Sequence, residues 1–378
     1  MSTCTVLPGL DRLAETGFAA IAGKTVAIVT NHTGRSIRGD SIVDLLQQQA
    51  GATISCIFTP EHGLTGKEDA EIPDGTEPIS GIRVISLYGP RNAPEPADLY
   101  DIDLLVYDIQ DAGCRFYTYI STLLGCMKSV SFTKTAMLVL DRPNPIGGLA
   151  IEGPLPDIDL LSFTACHPVP LRHGLTVGEL AKLFNAELNL HVDLAVEPVG
   201  GLKRSMWWSD MLLPWINPSP NLRTPAQALL YPGAALCEFT NISVGRGTDT
   251  PFQLIGAPWI DGNILARAMS PNIVGLAAIP VKFTPRESTF LGNQCGGVLL
   301  EILDRESFRP VHFGLCLIRA LIECYPSVWQ SAGLLRLLAN RAVYNDIVAG
   351  KPLNEIEEGW QPSLCHYRER IAEHLLYP

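Results

Sequence analysis

The sequence predicts an α/β fold, a doubly wound parallel sheet with a second, smaller α+β domain on its carboxyl side. Three observations predict it. Short β-branched runs alternate with helix-period segments through the first half, the pattern that right-handed crossovers turn into a parallel sheet with helices on both faces. Those runs are apolar at nearly every position, as strands covered on both faces require. Residues 214–225 hold four prolines and two asparagines, a composition that breaks regular structure and places a domain boundary near 225. The domains are accordingly 1–225 and 226–378.

Taken in order, residues 24–30 read as a strand, 40–50 as a helix, 53–59 as a strand and 83–88 as another. Residues 103–109 and 136–140 add two strands, with a helix over 117–129 between them. A helix over 176–188 leads to a strand at 193–197. Beyond the boundary come a helix over 225–237, strand candidates at 252–255, 277–283 and 297–303, and several helices to the end, an order that suits an α+β domain.

Composition narrows the function classes. At 378 residues the chain is long enough for two or three buried cores. Hydrophobic residues make up 47% and charged residues 18%, which argues against disorder and against a coiled-coil rod. The net charge is −11 and the basic residues form no cluster, so no nucleic-acid partner is expected. No stretch approaches the ~20 apolar residues of a membrane span, and no signal-peptide pattern precedes the first strand. The expectation is a cytoplasmic protein without a membrane partner. Ten cysteines occur without a Cys-x-x-Cys pair or a tight Cys/His quartet, so they read as reduced core thiols and neither metal nor cofactor is expected.

Ligands of a doubly wound sheet bind beyond the carboxyl ends of its strands. Four of those ends are rich in polar groups: Asn31-His32-Thr33-Gly34, Pro60-Glu61-His62-Gly63, Asp108 to Tyr119 with Gln110, Asp111, Arg115 and Tyr117, and Asp141-Arg142-Pro143-Asn144. Each residue alone reads equally well as a helix cap or turn former. Their convergence on one sheet edge points to a pocket. No Gly-x-Gly-x-x-Gly, Walker loop or Gly-x-Ser-x-Gly elbow is present, so dinucleotide, nucleoside triphosphate and serine-hydrolase chemistries lack their signatures. Asp108, Asp111 and Asp141 offer oxygens to Mg²⁺, though at no recognised spacing. Glu61 follows an apolar strand directly, where partial burial favours the protonated form that a general acid needs. The alternative for Glu61 is a capping or salt-bridged carboxylate.

Several motifs together resemble one family. Phe58-Thr-Pro-Glu-His-Gly63, Ser86-Leu-Tyr-Gly89, Asp108-Ile-Gln-Asp-Ala-Gly113 with Arg115-Phe-Tyr-Thr-Tyr119, and Asp141-Arg-Pro-Asn-Pro145 are similar to the NamZ-type exo-β-N-acetylmuramidases. Arg172-His-Gly174, Asn217-Pro-Ser-Pro-Asn221, Tyr231-Pro-Gly233, Thr240 to Thr248 and Gly256-Ala-Pro-Trp259 continue the resemblance in the same order.

The resemblance implies a Rossmann-like domain carrying the active site, a smaller carboxy-terminal domain, and release of terminal N-acetylmuramic acid from peptidoglycan fragments. It implies Glu61 as acid/base, with His62 beside it. The candidate binding residues, from the strand ends and these motifs together, are Asn31, Asp108, Gln110, Asp111, Arg115, Tyr117, Tyr119, Asp141, Arg142, Asn144, Arg172, His173, Asn217, Asn221, Glu238, Asn241, Arg246 and Trp259. Among these, Arg115, Arg142, Arg172 and Arg246 offer a cation to the lactyl carboxylate of muramic acid. Tyr117, Tyr119 and Trp259 offer rings for stacking on sugar faces, although core packing explains such aromatics as often. Asp111, Asp141 and Glu238 all qualify as the second catalytic group, beside substrate-assisted attack by the sugar's acetamido group. Leu64-Thr-Gly66 stands where the family pattern has Phe-Arg-Gly. Two competing readings are a non-catalytic muropeptide-binding or sensing protein and a metal-dependent phosphate-ester hydrolase built on the aspartates.

Overall fold

The computed structural model describes residues 6–49, 51–66, 73–77 and 80–378. Ala50, the last residue of the helix expected over 40–50, and Cys4 lie outside the described residues.

Seven strands form the larger sheet: β1 Thr25–Thr30, β2 Thr53–Thr59, β3 Gly75–Thr76, β4 Arg83–Ser86, β5 Leu104–Asp108, β6 Ala136–Leu140 and β7 Leu194–Glu197. Their order is β3-β4-β2-β1-β5-β6-β7, parallel throughout except for the short β3 against β4. The chain winds outward from β1 through β2 to β4, then crosses back to β5 and winds the other way. That reversal between β1 and β5 is the switch point at which such sheets bind ligands.

Alternation along the strands divides the core into two layers. Val26 and Ile28 of β1, with Leu104 and Val106 of β5, pack beneath helices α1 (Gly9–Glu15) and α2 (Ile42–Gln49). Ala27, Val29, Leu105 and Tyr107 face the other way, beneath α3 (Tyr119–Val130) and α4 (Val177–Glu187). Because both sets are apolar, these strands carry no polar face, which is why the runs were so hydrophobic. Helix α4 is started by a capping box between Thr176 and Glu179.

After the short α5 (Trp208–Met211) and an irregular stretch comes α6 (Pro225–Ala234), capped by Thr224 with Pro225 in its first turn. The second sheet is antiparallel, with β10 (Cys295–Ile302) between β8 (Leu254–Ala257) and β9 (Leu276–Phe283). Around it lie α7 (Gly262–Met269), α8 (Pro310–Cys324), α9 (Leu335–Leu338), α10 (Arg341–Val348) and α11 (Leu353–Ile371). The strand expected at 252–255 begins two residues later because Phe252 sits at φ 62°, a left-handed conformation that a strand cannot contain. Helix α6 stops at Ala234, and residues 235–237 tighten into a 3₁₀ turn.

Helices α6 and α8 touch at their backbones. A Cβ on Gly233 would lie 2.0 Å from the Pro310 carbonyl oxygen, and one on Gly314 would lie 2.7 Å from the Gly233 Cα. The core under α3 and α4 runs without a break into α6, α8 and the second sheet. The nine described cysteines are free thiols, six of them buried. Among the described residues no helix is long and apolar enough to cross a membrane.

Candidate active site

The segment after β2 turns sharply. His62, Gly63 and Gly66 all have positive φ, at 71°, 63° and 67°, a region histidine enters more readily than most side chains and glycine enters freely. Gly66 has a second constraint, since a Cβ there would meet the His32 ring at 1.9 Å. His32 donates from Nε2 to the Asn217 carbonyl at 2.6 Å, and burial lowers its pKa. The turn thus leans on the loop after β1 and leaves the half-buried Glu61 at the sheet's edge.

The loop after β5 holds Glu61. Thr118 Oγ1 donates to Glu61 Oε2 at 2.7 Å, fixing the carboxyl rotamer, while Oε1 makes no hydrogen bond among the described residues. The Tyr119 hydroxyl accepts from Asn31 Nδ2 at 3.0 Å and donates to the Pro218 carbonyl at 2.9 Å, with the Glu61 carbonyl 3.4 Å away. Asn31 Oδ1 accepts from the Thr33 amide and hydroxyl, and Thr33 Oγ1 accepts from the Gln110 amide at 3.0 Å. These buried groups tie the ends of β1 and β5 together at the switch point.

Glu61 and His62 line a cavity of about 370 Å³ that the second domain completes. The sheet side contributes Tyr88 and Phe116 to Thr118; the second domain contributes Tyr231, Glu238, Phe239, Arg246, Phe252 and Arg336. Arg246 Nε lies 2.6 Å from Glu238 Oε1, and its guanidinium lies 5.6 Å from the Phe252 ring centre. Arg336 stacks over Phe239 at 3.9 Å. A volume of this size suits a small ligand, with aromatic walls and a few polar groups to orient it.

Residues 26–226 match the amino-terminal domain of the exo-β-N-acetylmuramidase NamZ family, and residues 229–377 match its carboxy-terminal domain. The chain belongs to the NamZ family. It is 37% identical to the peptidoglycan β-N-acetylmuramidase NamZ of Bacillus subtilis (strain 168), over 98% of this chain and 91% of the relative. Two crystal structures of DUF1343 family proteins from Bacteroides fragilis NCTC 9343 share the fold, each at 29% identity. Their TM-scores are 0.92 and 0.80, over 99% and 98% of this chain and 100% and 99% of theirs.

Of the candidate site residues, the structure brings Glu61, His62, Tyr117, Glu238 and Arg246 to the cavity wall, with Asn31 and Tyr119 directly behind. The others make contacts elsewhere. Asp108 holds Arg142 through a buried two-pronged pair, Nε to Oδ1 at 2.5 Å and Nη2 to Oδ2 at 2.9 Å. Asp141 accepts from the Gly178 amide and the Thr176 and Tyr377 hydroxyls, anchoring α4 and the chain's end. Arg172 pairs with Glu152 at 2.7 Å and lies over Trp207. Gln110 donates to the Asp111 and Pro143 carbonyls, and Asn144 bridges the Ile146 amide and the Leu175 carbonyl. Asp111 Oδ2 accepts from the Gly113 amide, and His173 Nε2 lies 3.6 Å from it. Asn217 contributes its carbonyl to His32, and Asn221 is buried in the loop before α6. Asn241 bonds to Val328 and Gln330, and the Trp259 ring packs edge-on against Tyr325 at 5.3 Å.

Arg115 departs furthest from its expected role as a substrate contact. It is fully buried and donates to the Pro154, Leu337 and Leu338 carbonyls at 2.9, 2.8 and 2.8 Å. Its charge is spent inside the protein. The three aspartates weighed as Mg²⁺ ligands are likewise engaged with separate partners, and among the described residues no three His, Cys, Asp or Glu side chains converge as a metal site. Sequence reasoning missed Thr118 and Arg336. Thr118 lay inside the quoted Arg115 to Tyr119 motif and was the signal available; Arg336 sits in an apolar helical stretch with no motif around it.

Proposed function

We propose that the chain is a glycosidase that releases terminal β-linked N-acetylmuramic acid from soluble peptidoglycan fragments. Membership of the NamZ family supports the reaction class. The observation that carries the mechanism is the Glu61 carboxyl, tethered at Oε2 by Thr118 within a sugar-sized cavity that also holds Glu238. In this reading Glu61 gives its proton to the glycosidic oxygen as the C1–O bond breaks. Positive charge then develops at C1, and Glu238, held by Arg246 at 2.6 Å, is the second carboxylate at the cavity to stabilise it. Water supplies the hydroxyl that ends on C1, and its remaining proton restores the acid. Tyr117 and Tyr231 form part of the apolar wall against which the sugar packs.

The test is turnover of 4-nitrophenyl β-N-acetylmuraminide beside the matching glucosaminide, with a muramyl-glucosamine disaccharide as natural substrate. Release of N-acetylmuramic acid from the first and third supports the reading. Absence of both, in protein shown to be folded, overturns it.

A further inference from the structure

We infer that Arg336, a side chain of the second domain, recognises the lactyl carboxylate of N-acetylmuramic acid and so sets the preference for that sugar over N-acetylglucosamine. The inference rests on the function proposed above. N-acetylmuramic acid differs from N-acetylglucosamine by one lactyl ether, whose carboxylate is the single charge on the ring. An enzyme that distinguishes the two gains most from a cation whose charge no protein carboxylate already satisfies.

The arginines that the motifs offered for this contact are held elsewhere or already paired. Arg115, Arg142 and Arg172 are buried and bonded internally. Two arginines line the cavity, and one of them, Arg246, is paired with Glu238 at 2.6 Å. Arg336 has no carboxylate partner among the described residues. Its guanidinium carbon lies over Phe239, 3.9 Å from the ring centre. A contact of the cation with a ring does not satisfy the guanidinium's N–H donors, which remain for a two-pronged contact with a carboxylate.

The mounting is rigid. Arg336 belongs to the one-turn helix α9, whose last two carbonyls are held by Arg115. Just before α9, Gly333 presses against Phe239 so closely that a Cβ would lie 1.7 Å from the Phe239 carbonyl oxygen. The backbones that carry the cation and the ring beneath it are therefore in direct contact. Arg115 also lies three residues before Thr118, so one short loop positions both the acid and the carboxylate reader.

The experiment compares binding of N-acetylmuramic acid with that of its lactyl methyl ester, which keeps the shape and loses the charge. Calorimetric titration of the full chain is expected to show the acid binding about 10- to 100-fold tighter than the ester, the range of a charge-assisted contact. In Arg336→Met that difference disappears, and in Arg336→Lys, which keeps a charge without the fork, it is intermediate. Arg336 is exposed, and an unchanged near-ultraviolet spectrum confirms that each variant is folded. If Arg336→Met still prefers the acid, or if the preference is lost in Arg246→Met alone, the inference is overturned. A wild-type chain that binds neither compound and cleaves no muraminide overturns the proposed function itself. A wild type that cleaves muraminides but binds acid and ester equally overturns only the assignment of Arg336.

Discussion

Arg115 donates from a single nitrogen, Nη2, to the carbonyls of both Leu337 and Leu338, each at 2.8 Å. The two ends of this contact are more than 200 residues apart in sequence, and it joins the loop that positions Glu61 to the helix that carries Arg336. Burial pushes the Arg115 pKa down to about 10, which leaves it charged at neutral pH.

Arg115→Met removes the donor from four carbonyl groups, those of Pro154, Val169, Leu337 and Leu338, so the variant is expected to lose about 1–3 kcal/mol of stability. Where it still folds, KM for muraminides should rise more than kcat falls, because the helix bearing Arg336 is released while Glu61 keeps Thr118. Arg115→Lys should not rescue it, since an ammonium cannot reach the same set of carbonyls as a planar fork. Urea denaturation and steady-state kinetics check both expectations.

Glu61→Gln keeps the shape of the side chain and removes its proton. General acid catalysis contributes ~10²- to 10⁴-fold, so kcat on the natural disaccharide should fall by that order. On the nitrophenyl substrate, whose leaving group needs less protonation, the loss should be smaller. A loss of less than about threefold on the disaccharide, far below that contribution, would remove Glu61 from the mechanism.

Thr118 acts through Glu61. Thr118→Val preserves size and removes the donor, so kcat on the disaccharide is expected to fall by about 10-fold. Thr118→Ser retains the hydroxyl and should recover most of it. Equal kcat in wild type and Thr118→Val would show that the contact at Oε2 does not set the working position of the acid.

How far the sequence carried depends on what each residue faces. Val29, Tyr107 and Val139 lie inside runs that are apolar on both sides, so the sheet and the polar groups at its edge were legible, Glu61 among them. The two-residue β3 is too short to leave a period. The arginines misled because a guanidinium buried among carbonyls, as at Arg115, and one facing a ligand use the same side chain. Their difference lies in partners from distant segments: Leu337 for Arg115, Asp108 for Arg142. Arg336 was invisible for the converse reason, since its neighbours Leu334, Leu335, Leu337 and Leu338 read as an ordinary amphipathic segment.

Stability should carry the mark of Asp141. Burial pushes its pKa up to about 6, partly offset by hydrogen bonds from Tyr377, Gly178 and Thr176. In the unfolded chain the group titrates near pH 4, so between about pH 4 and 6 the folded state binds the extra proton. This contribution is complete below pH 4 and is lost as pH rises through 6, worth about 1–3 kcal/mol. Denaturation midpoints measured from pH 4 to 7 should show that decline in wild type relative to Asp141→Asn. Parallel profiles would refute it.

Chelation gives a separate check on the aspartates. With Asp108, Asp111 and Asp141 each committed to different partners, muraminide turnover is expected to be unchanged by EDTA. Loss of activity that Mg²⁺ restores would revive the phosphate-ester hydrolase reading.

Tyr377 reaches Asp141 across 236 residues of chain, and this imposes an order on biosynthesis. At ~5–20 residues per second, a ribosome needs roughly 10 to 50 s to make the intervening polypeptide. Throughout that interval Asp141 lacks the hydroxyl of Tyr377, and for its earlier part the apolar surface under α3 and α4 also lacks α6 and α8. The amino-terminal half is thus expected to complete its packing only once synthesis reaches the tyrosine that seals it.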